Sequence, residues 1–302
     1  MRIFVAGQRG MLGQDLVPCL VASGFEVMSR DLPELDICQM AIIRQVFKEV
    51  QPDLLINVAA YTAVDKAESE PDAAFAVNRD GAGWLAEACH SARIPLIHVS
   101  TDYVFDGSAT CPYKEDDPVG PLGVYGQSKW EGEQAIRNRH REHLIVRSAW
   151  LYSRNGTNFV NTMLRLAGER EDLQVVNDQQ GCPTWTKDLA SALTAMCERI
   201  KLGQSITPWG TYHFCGAGET TWHGFAQATI EEARVFQKLA VKRIIPIPTE
   251  AYPTPARRPR YSVLDCSKIQ DSFGLIPPAW GKSLQNCIQE IYACRTILPA
   301  AF

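Results

Sequence analysis

Apolar runs of four to seven residues alternate with longer amphipathic stretches through the first half of the chain. The runs at 2–6, 25–29, 54–59, 96–100 and 144–150 read as strands. They are nearly continuous in apolar residues, as parallel strands covered on both faces should be. The stretches at 11–23, 40–50, 72–91 and 128–139 carry helical periodicity. Strand and helix in strict alternation predict right-handed βαβ units, hence an α/β fold with a Rossmann-type, doubly wound parallel sheet. Residues 1–150 form the expected dinucleotide-binding domain.

Beyond 150 the pattern loosens. A helix is expected over 158–168, a strand over 173–176, a helix over 185–200 and a late strand over 212–214. Segments around 173–200 and 211–235 are expected to return to the first domain. The rest of 151–302 should be a smaller α/β substrate-binding lobe. The stretch 245–261 holds Pro246, Pro248, Pro253, Pro255 and Pro259. So many prolines predict an ordered loop without regular structure.

Composition narrows the function classes. Of 302 residues, 46% are hydrophobic and 21% charged, with a net charge of -4. A core can form, and nothing suggests a nucleic-acid surface or a polybasic membrane tract. No leader-like start and no spanning apolar run is present, so a cytoplasmic protein is expected. The ten cysteines show neither C-x-x-C nor zinc-ligand spacing and read as reduced thiols.

The first chemical signal is Gly7-Gln-Arg-Gly10-Met-Leu-Gly13, between the first strand and the first helix. Gly7 permits a tight turn, Gly10 a close approach of backbone to pyrophosphate, and Gly13 close packing of helix on strand. The second strand ends in Ser29-Arg30-Asp31. A carboxylate there suits an unphosphorylated ribose and an arginine a 2′-phosphate, so NADPH or NADH is expected, Arg30 favouring NADPH. Asp36, before Ile37, can be read as an adenine contact or as a helix N-cap.

The second signal is Val124-Tyr-Gly-Gln-Ser-Lys129. Tyr125 and Lys129 stand one helical turn apart on one face. Free tyrosine titrates at about 10, and a nearby ammonium would lower that value. Loops after the third and fourth strands, VAAYTAVD and HVSTDYVF, carry polar groups to the same carboxyl edge of the sheet. Asp65, Lys66 and Glu68 in the first loop read as a solvated helix start.

With GQRGMLG, LDI, NVAAYTAVDKAESEP, FAVN, STDYVFDG, YGQSK, RSAWLY, DQQGCPT and ARRPRYSVLD in order, the chain resembles the extended short-chain dehydrogenases/reductases. Within them it is most similar to the dTDP-4-dehydrorhamnose reductase family. The resemblance implies NAD(P)H-dependent reduction of a dTDP-linked 4-keto sugar, the last step of dTDP-rhamnose biosynthesis. It implies Thr101, Tyr125 and Lys129 as the catalytic trio. Gly10, Met11 and Leu12 would line the pyrophosphate turn, Asp36 and Ile37 would face the adenine, and Ala60, Tyr61 and Thr62 would lie along the cofactor. Thr101, Asp102 and Trp150 would stand near the sugar, with Val64 and Tyr103 close by and Arg257 a further substrate contact. Some relatives use magnesium at a dimer interface, and Asp15 lies near such a position. No complete acidic set is legible, so no metal is expected, while a homodimer stays open. Two other readings remain: an epimerase or dehydratase acting on nucleotide sugars, and a non-catalytic regulatory subunit like that of methionine adenosyltransferase.

Overall fold

The computed structural model describes residues 1–202 and 208–297. The first half contains β1 (Arg2–Ala6), α1 (Met11–Ala22), β2 (Glu26–Arg30), α2 (Met40–Val50), β3 (Leu54–Asn57), α3 (Val64–Ala67), α4 (Pro71–Phe75), α5 (Ala82–Ala92), β4 (Leu96–Thr101), α6 (Val124–Arg139) and β5 (His143–Ser148). The second contains β6 (Leu151–Tyr152), α7 (Phe159–Glu169), β7 (Asp172–Val176), β8 (Gln180–Gly181), β9 (Thr184–Trp185), α8 (Thr186–Lys201), β10 (Gly210–His213), β11 (Thr220–Thr221), α9 (Trp222–Arg234), β12 (Arg243–Ile247), α10 (Ser267–Phe273) and α11 (Trp280–Ile297).

Six parallel strands form one sheet in the order β10-β5-β4-β3-β1-β2. Alternate residues of β1 feed opposite faces, as the two-residue strand period requires. Ile3 and Val5 pack with Leu16 and Leu20 of α1 and Leu193 of α8. Phe4 and Ala6 pack with Ile43 of α2, Leu85 of α5 and Ile136 of α6. Helices on both faces explain why the central strands β1 and β3 are apolar almost throughout. The order reverses at β1, so the carboxyl ends of β1 and β3 open a crevice there. A second apolar cluster joins Tyr152, Val160 and Leu164 to Phe225 of α9 and Leu284 and Ile288 of α11.

Several expectations change. The helix expected over 72–91 is broken by a π-turn, Ala76–Gly81, between α4 and α5. A wider turn of this kind leaves the hydrophobic period almost unchanged, so sequence periodicity misses it. The strand expected to reach 150 stops at Ser148, because Trp150 lies in the left-handed region with φ 46°. The proline-rich stretch is not wholly irregular. Pro246 lies in β12, opposite Val175 of β7 in a parallel two-stranded sheet. An edge strand loses little when one N–H is absent. Helices α9, α10 and α11 were not foreseen.

Helix α6 is fixed to the sheet by a buried ion pair. Arg147 of β5 donates from Nε and Nη2 to the two carboxylate oxygens of Glu133, at 2.9 and 2.8 Å. Both side chains are almost fully buried, 1% and 0% exposed. Burial pushes the Glu133 carboxyl up, and Arg147 and Arg137 more than reverse this, holding it below the usual range. Glu133→Ala would leave the guanidinium buried and unpaired. We expect a loss of about 3–5 kcal/mol in unfolding free energy, read from denaturant unfolding of variant and parent.

Candidate active site

The glycine turn is built by contact as well as by conformation. Gly7 has φ 98°, and a Cβ on it would lie 2.5 Å from the Ala59 nitrogen. A Cβ on Gly13 would lie 2.3 Å from the Gly7 carbonyl oxygen. Gly10 is different: its nearest neighbour would be the Gly7 oxygen at 3.5 Å, with open space beyond. Gly10 is the N-cap of α1, no side chain caps it, and no acidic residue stands in the first turn. The N–H groups at Met11 and Leu12 therefore suit an anion, as the start of a helix does in general. These residues fit a dinucleotide.

At the end of β2, Asp31 accepts from the Arg9 N–H at 2.9 Å and from the Leu32 N–H at 2.8 Å. Its carboxylate is committed to the turn. Arg30 is half-buried and donates to its neighbour Ser29 O at 3.0 Å. Asp36 accepts from Gln39 Nε2 at 2.7 Å and Cys38 N at 3.0 Å, bonds that hold its carboxyl below the usual range. Gln39, not Asp36, is the N-cap of α2, which removes that reading of Asp36. Ile37 is buried against Gly81, where a Cβ would meet its Cγ1 at 2.8 Å.

The loop Ala60-Tyr61-Thr62 is tied to α6 through Asn78. Tyr61 N donates to Asn78 Oδ1 at 2.8 Å; Asn78 Nδ2 donates to Tyr61 O and Ser128 Oγ, both at 3.0 Å. Asn78 lies in the π-turn, so its role as a tie depends on a feature invisible to sequence periodicity. Glu68 was expected to be solvated. Instead its carboxylate accepts from the Val124 N–H at 2.8 Å and serves the uncapped start of α6 from another element.

Thr101 ends β4 and Tyr125 stands in the first turn of α6. Thr101 Oγ1 accepts from Tyr103 N at 3.2 Å and donates to Asp102 Oδ1 at 3.1 Å. Burial pushes the Tyr125 phenol up to about 12; a hydrogen bond with Thr101 pulls the other way, and Asp102 adds to the rise. Lys129 is not among these influences. Its Nζ turns inward, donates to Val99 O at 2.8 Å and lies 3.2 Å from His98 Nε2. Burial pushes this lysine down to about 8, against the pull of Glu133. The expected lowering of the Tyr125 pKa by Lys129 is thus not what the structure shows. The charged end of Lys129 is directed at the sheet, towards Val99 O and His98, rather than at the phenol.

Val64, Tyr103, Tyr125 and Arg257 line one narrow cleft. Tyr103 also lines a cavity of about 940 Å³, with Met163, Gln179, Trp222, Tyr252 and Arg258. Arg258 was missed by sequence reasoning, since ARRPR does not say which arginine turns inward. It donates to both oxygens of Asp65, at 3.0 and 2.8 Å, so Asp65 is not a free helix start either. Trp150 stacks on Trp222 with centroids 3.5 Å apart. Behind it, a Cβ on Gly181 would fall 2.5 Å from its Cε2. A bulky side chain at positive φ is costly, and this packing holds it there. Asp15, the residue nearest an expected metal position in some relatives, is buried and accepts from Ser153 Oγ at 3.1 Å and from Thr186 Oγ1. Among the described residues no group of His, Cys, Asp and Glu is placed to hold a metal ion.

A doubly wound parallel sheet, a glycine turn after β1 and a Tyr/Lys helix beside the end of β4 define an extended short-chain dehydrogenase/reductase. The family described as RmlD substrate binding domain matches residues 1–293, and a dTDP-4-dehydrorhamnose reductase of Sinorhizobium fredii is 41% identical over 290 residues, 95% of this chain and 97% of that one. The chain belongs to the dTDP-4-dehydrorhamnose reductase family. Solved structures agree. A dTDP-4-dehydrorhamnose reductase from Clostridium acetobutylicum superposes with a TM-score of 0.90 at 37% identity, covering 96% of this chain and 99% of that one. One from Bacillus anthracis, in complex with NADP, gives 0.87 at 35% identity with the same coverage.

Asp102 generates a test. It is 2% exposed and its Oδ2 has no hydrogen-bond partner. Burial pushes its carboxyl up to about 7, while Ser262 and Thr101 oppose this. The folded state therefore holds a proton that the unfolded state has already lost. Stability falls as pH rises from the unfolded carboxylate range toward neutrality. Asp102→Asn removes that slope. We expect the variant to gain about 2–4 kcal/mol over the parent at pH 8, shrinking toward zero near pH 4, in denaturant unfolding at a series of pH values.

Proposed function

We propose that the chain reduces the C4 keto group of dTDP-4-dehydro-L-rhamnose to give dTDP-L-rhamnose, the last step of dTDP-rhamnose biosynthesis. The observation that carries this reading is the placement of Tyr125, in the first turn of α6, against Thr101 at the end of β4, in a chain of this family. NADPH or NADH, when bound, supplies the hydride that goes to C4. Gly7, Gly10, Met11, Leu12 and Gly13 would hold its pyrophosphate, with Asp36, Ile37, Ala60, Tyr61 and Thr62 along its length. The committed carboxylate of Asp31 and the position of Arg30 favour the phosphorylated form.

As negative charge grows on the keto oxygen, Tyr125 gives it a proton and Thr101 hydrogen-bonds the same atom. A phenol held near 12 carries its proton at neutral pH, and the hydrogen bond with Thr101 pulls it back toward acidity. Lys129 would hold the ribose. Asp102, Tyr103, Val64 and Arg257 would position the sugar, and Trp150 would wall one face of it. The same reading divides the chain into a cofactor part, 1–150 with later segments joining it, and a substrate lobe from 151 to 302. It makes the protein cytoplasmic, either monomer or homodimer, with no nucleic-acid partner. No helix among the described residues is long and apolar enough to cross a membrane. No observation favours the epimerase, dehydratase or regulatory-subunit readings.

Oxidation of NADPH and of NADH dependent on dTDP-4-dehydro-L-rhamnose tests the activity directly. Tyr125→Phe should lower kcat by about 10²–10⁴-fold with cofactor affinity kept. Near-parental turnover in that variant would remove Tyr125 from the acid role.

A further inference from the structure

Residues 253–259 run between the two parts of the site. Ala256, Arg257 and Pro259 line the narrow cleft that holds Tyr125, while Thr254 and Arg258 line the larger cavity. Tyr103 lines both. Pro253, Pro255 and Pro259 have no N–H to give. Among the described residues, 253–259 make no backbone–backbone hydrogen bond; pairing resumes at Arg260, whose carbonyl accepts from Gln180 N at 2.8 Å. Side chains and packing therefore have to place this segment. Packing seats part of it: Ala256 and Pro259 are buried, and a Cβ on Gly107 would lie 2.7 Å from Pro259 Cβ.

The polar tie is one carboxylate. Asp65 of α3 accepts from Arg258 Nη1 and Nη2 at 3.0 and 2.8 Å, and from the Ala256 N–H at 3.2 Å. Arg258 Nη1 also donates to Thr254 Oγ1 and to Ala256 O, so a single guanidinium gathers the turn 254–256 and fastens it to α3. Among the described residues, Asp65 is the one hydrogen-bond partner that 253–259 finds outside itself. The flat fork of arginine meets a carboxylate in two parallel bonds, which fixes direction as well as distance. The side chains are 21% and 42% exposed, so the pair adds little as an energy and acts through its geometry. Val64 precedes Asp65 and Arg257 precedes Arg258, and both line the cleft with Tyr125, so the pair fixes their separation.

We propose that Asp65 is a positioning residue for the nucleotide-sugar substrate: through Arg258 and Ala256 it holds residues 253–259 so that Arg257 stands at the Tyr125 cleft. The inference rests on the reductase reading above. Asp65 touches no reacting atom and acts through the segment that it holds. The hydrogen bond from Arg258, helped by the Ala256 N–H, keeps its carboxyl below the usual range, so the tie is charged at neutral pH. The glycine turn at 7–13 and the tie of Tyr61 to Asn78 do not involve Asp65. Loss of Asp65 should therefore weaken the hold on the substrate and leave that on the cofactor.

The test compares the full-length parent with D65A by hydrogen exchange read by mass spectrometry and by steady-state kinetics. Without substrate, peptides covering 249–262 should exchange about tenfold faster in D65A, while those covering β4 and α6 keep the parental rate. KM for dTDP-4-dehydro-L-rhamnose should rise about tenfold, with kcat within about threefold of the parent. The Kd of NADPH, from fluorescence titration without the sugar, should stay within about twofold. Should D65A fail to fold, D65N reads the same quantities, since it keeps the size of the side chain and one acceptor but loses the charged pair. Parental exchange over 249–262 would overturn the proposal. So would faster exchange with an unmoved substrate KM, or a KM and an NADPH Kd that rise together. A parent that oxidises no cofactor with this keto sugar would count against the reductase reading, and the exchange rates would still decide whether Asp65 holds the segment.

Discussion

The bidentate pair between Glu133 and Arg147 is the contact on which the site depends. It holds α6, which carries Tyr125 and Lys129, to β5, which runs beside the strand that carries Thr101. The same helix presses on the π-turn so closely that a Cβ on Gly132 would lie 2.0 Å from Asn78 O. Glycine at that point lets the helix approach, and the ion pair fixes its rotation. Both contacts act on the helix that carries Tyr125 to Thr101. The pair is itself desolvated, so its value is geometric as much as energetic: two charges in a dry interior accept few alternative arrangements.

Proton positions in the site follow from the same dryness. Burial raises Tyr125 and Asp102 and lowers Lys129 and His98, favouring the neutral form in each case. Lys129, pushed down to about 8, still carries its charge at neutral pH, but that charge is directed at Val99 O and His98. The hydrogen bond with Thr101 is the one influence that pulls the Tyr125 phenol back toward acidity. Together these forces describe a site prepared to give a proton to a ketone.

Much of the first half was legible. Strand positions were clear because strands covered on both faces must be apolar, and the glycine spacing was clear because only glycine fits beside the Ala59 nitrogen and the Gly7 oxygen. The partners of charged residues were not legible. Asp65 and Glu68 look alike in sequence to any solvated helix start, yet one binds Arg258 and the other serves the start of α6. Whether an arginine at 257 or 258 turns inward, and where α4 gives way to a π-turn, depend on neighbours far along the chain. Trp150 illustrates the limit: nothing local predicts its positive φ, which Trp222 and Gly181 hold from segments well downstream.

By itself, then, the sequence determined the alternation of strands and helices, the anion-ready turn at the first helix, and the one-turn spacing of Tyr125 and Lys129. These are local properties, set by periodicity, sterics and the residue types that a turn can accept. Tertiary structure decided which way each polar group faces and which proton it keeps. Lys129 was legible as a neighbour of Tyr125 along a helix, but its ammonium is turned to Val99 O and His98. Such choices depend on desolvation and on hydrogen-bond partners from other strands, and those exist only once the sheet has formed.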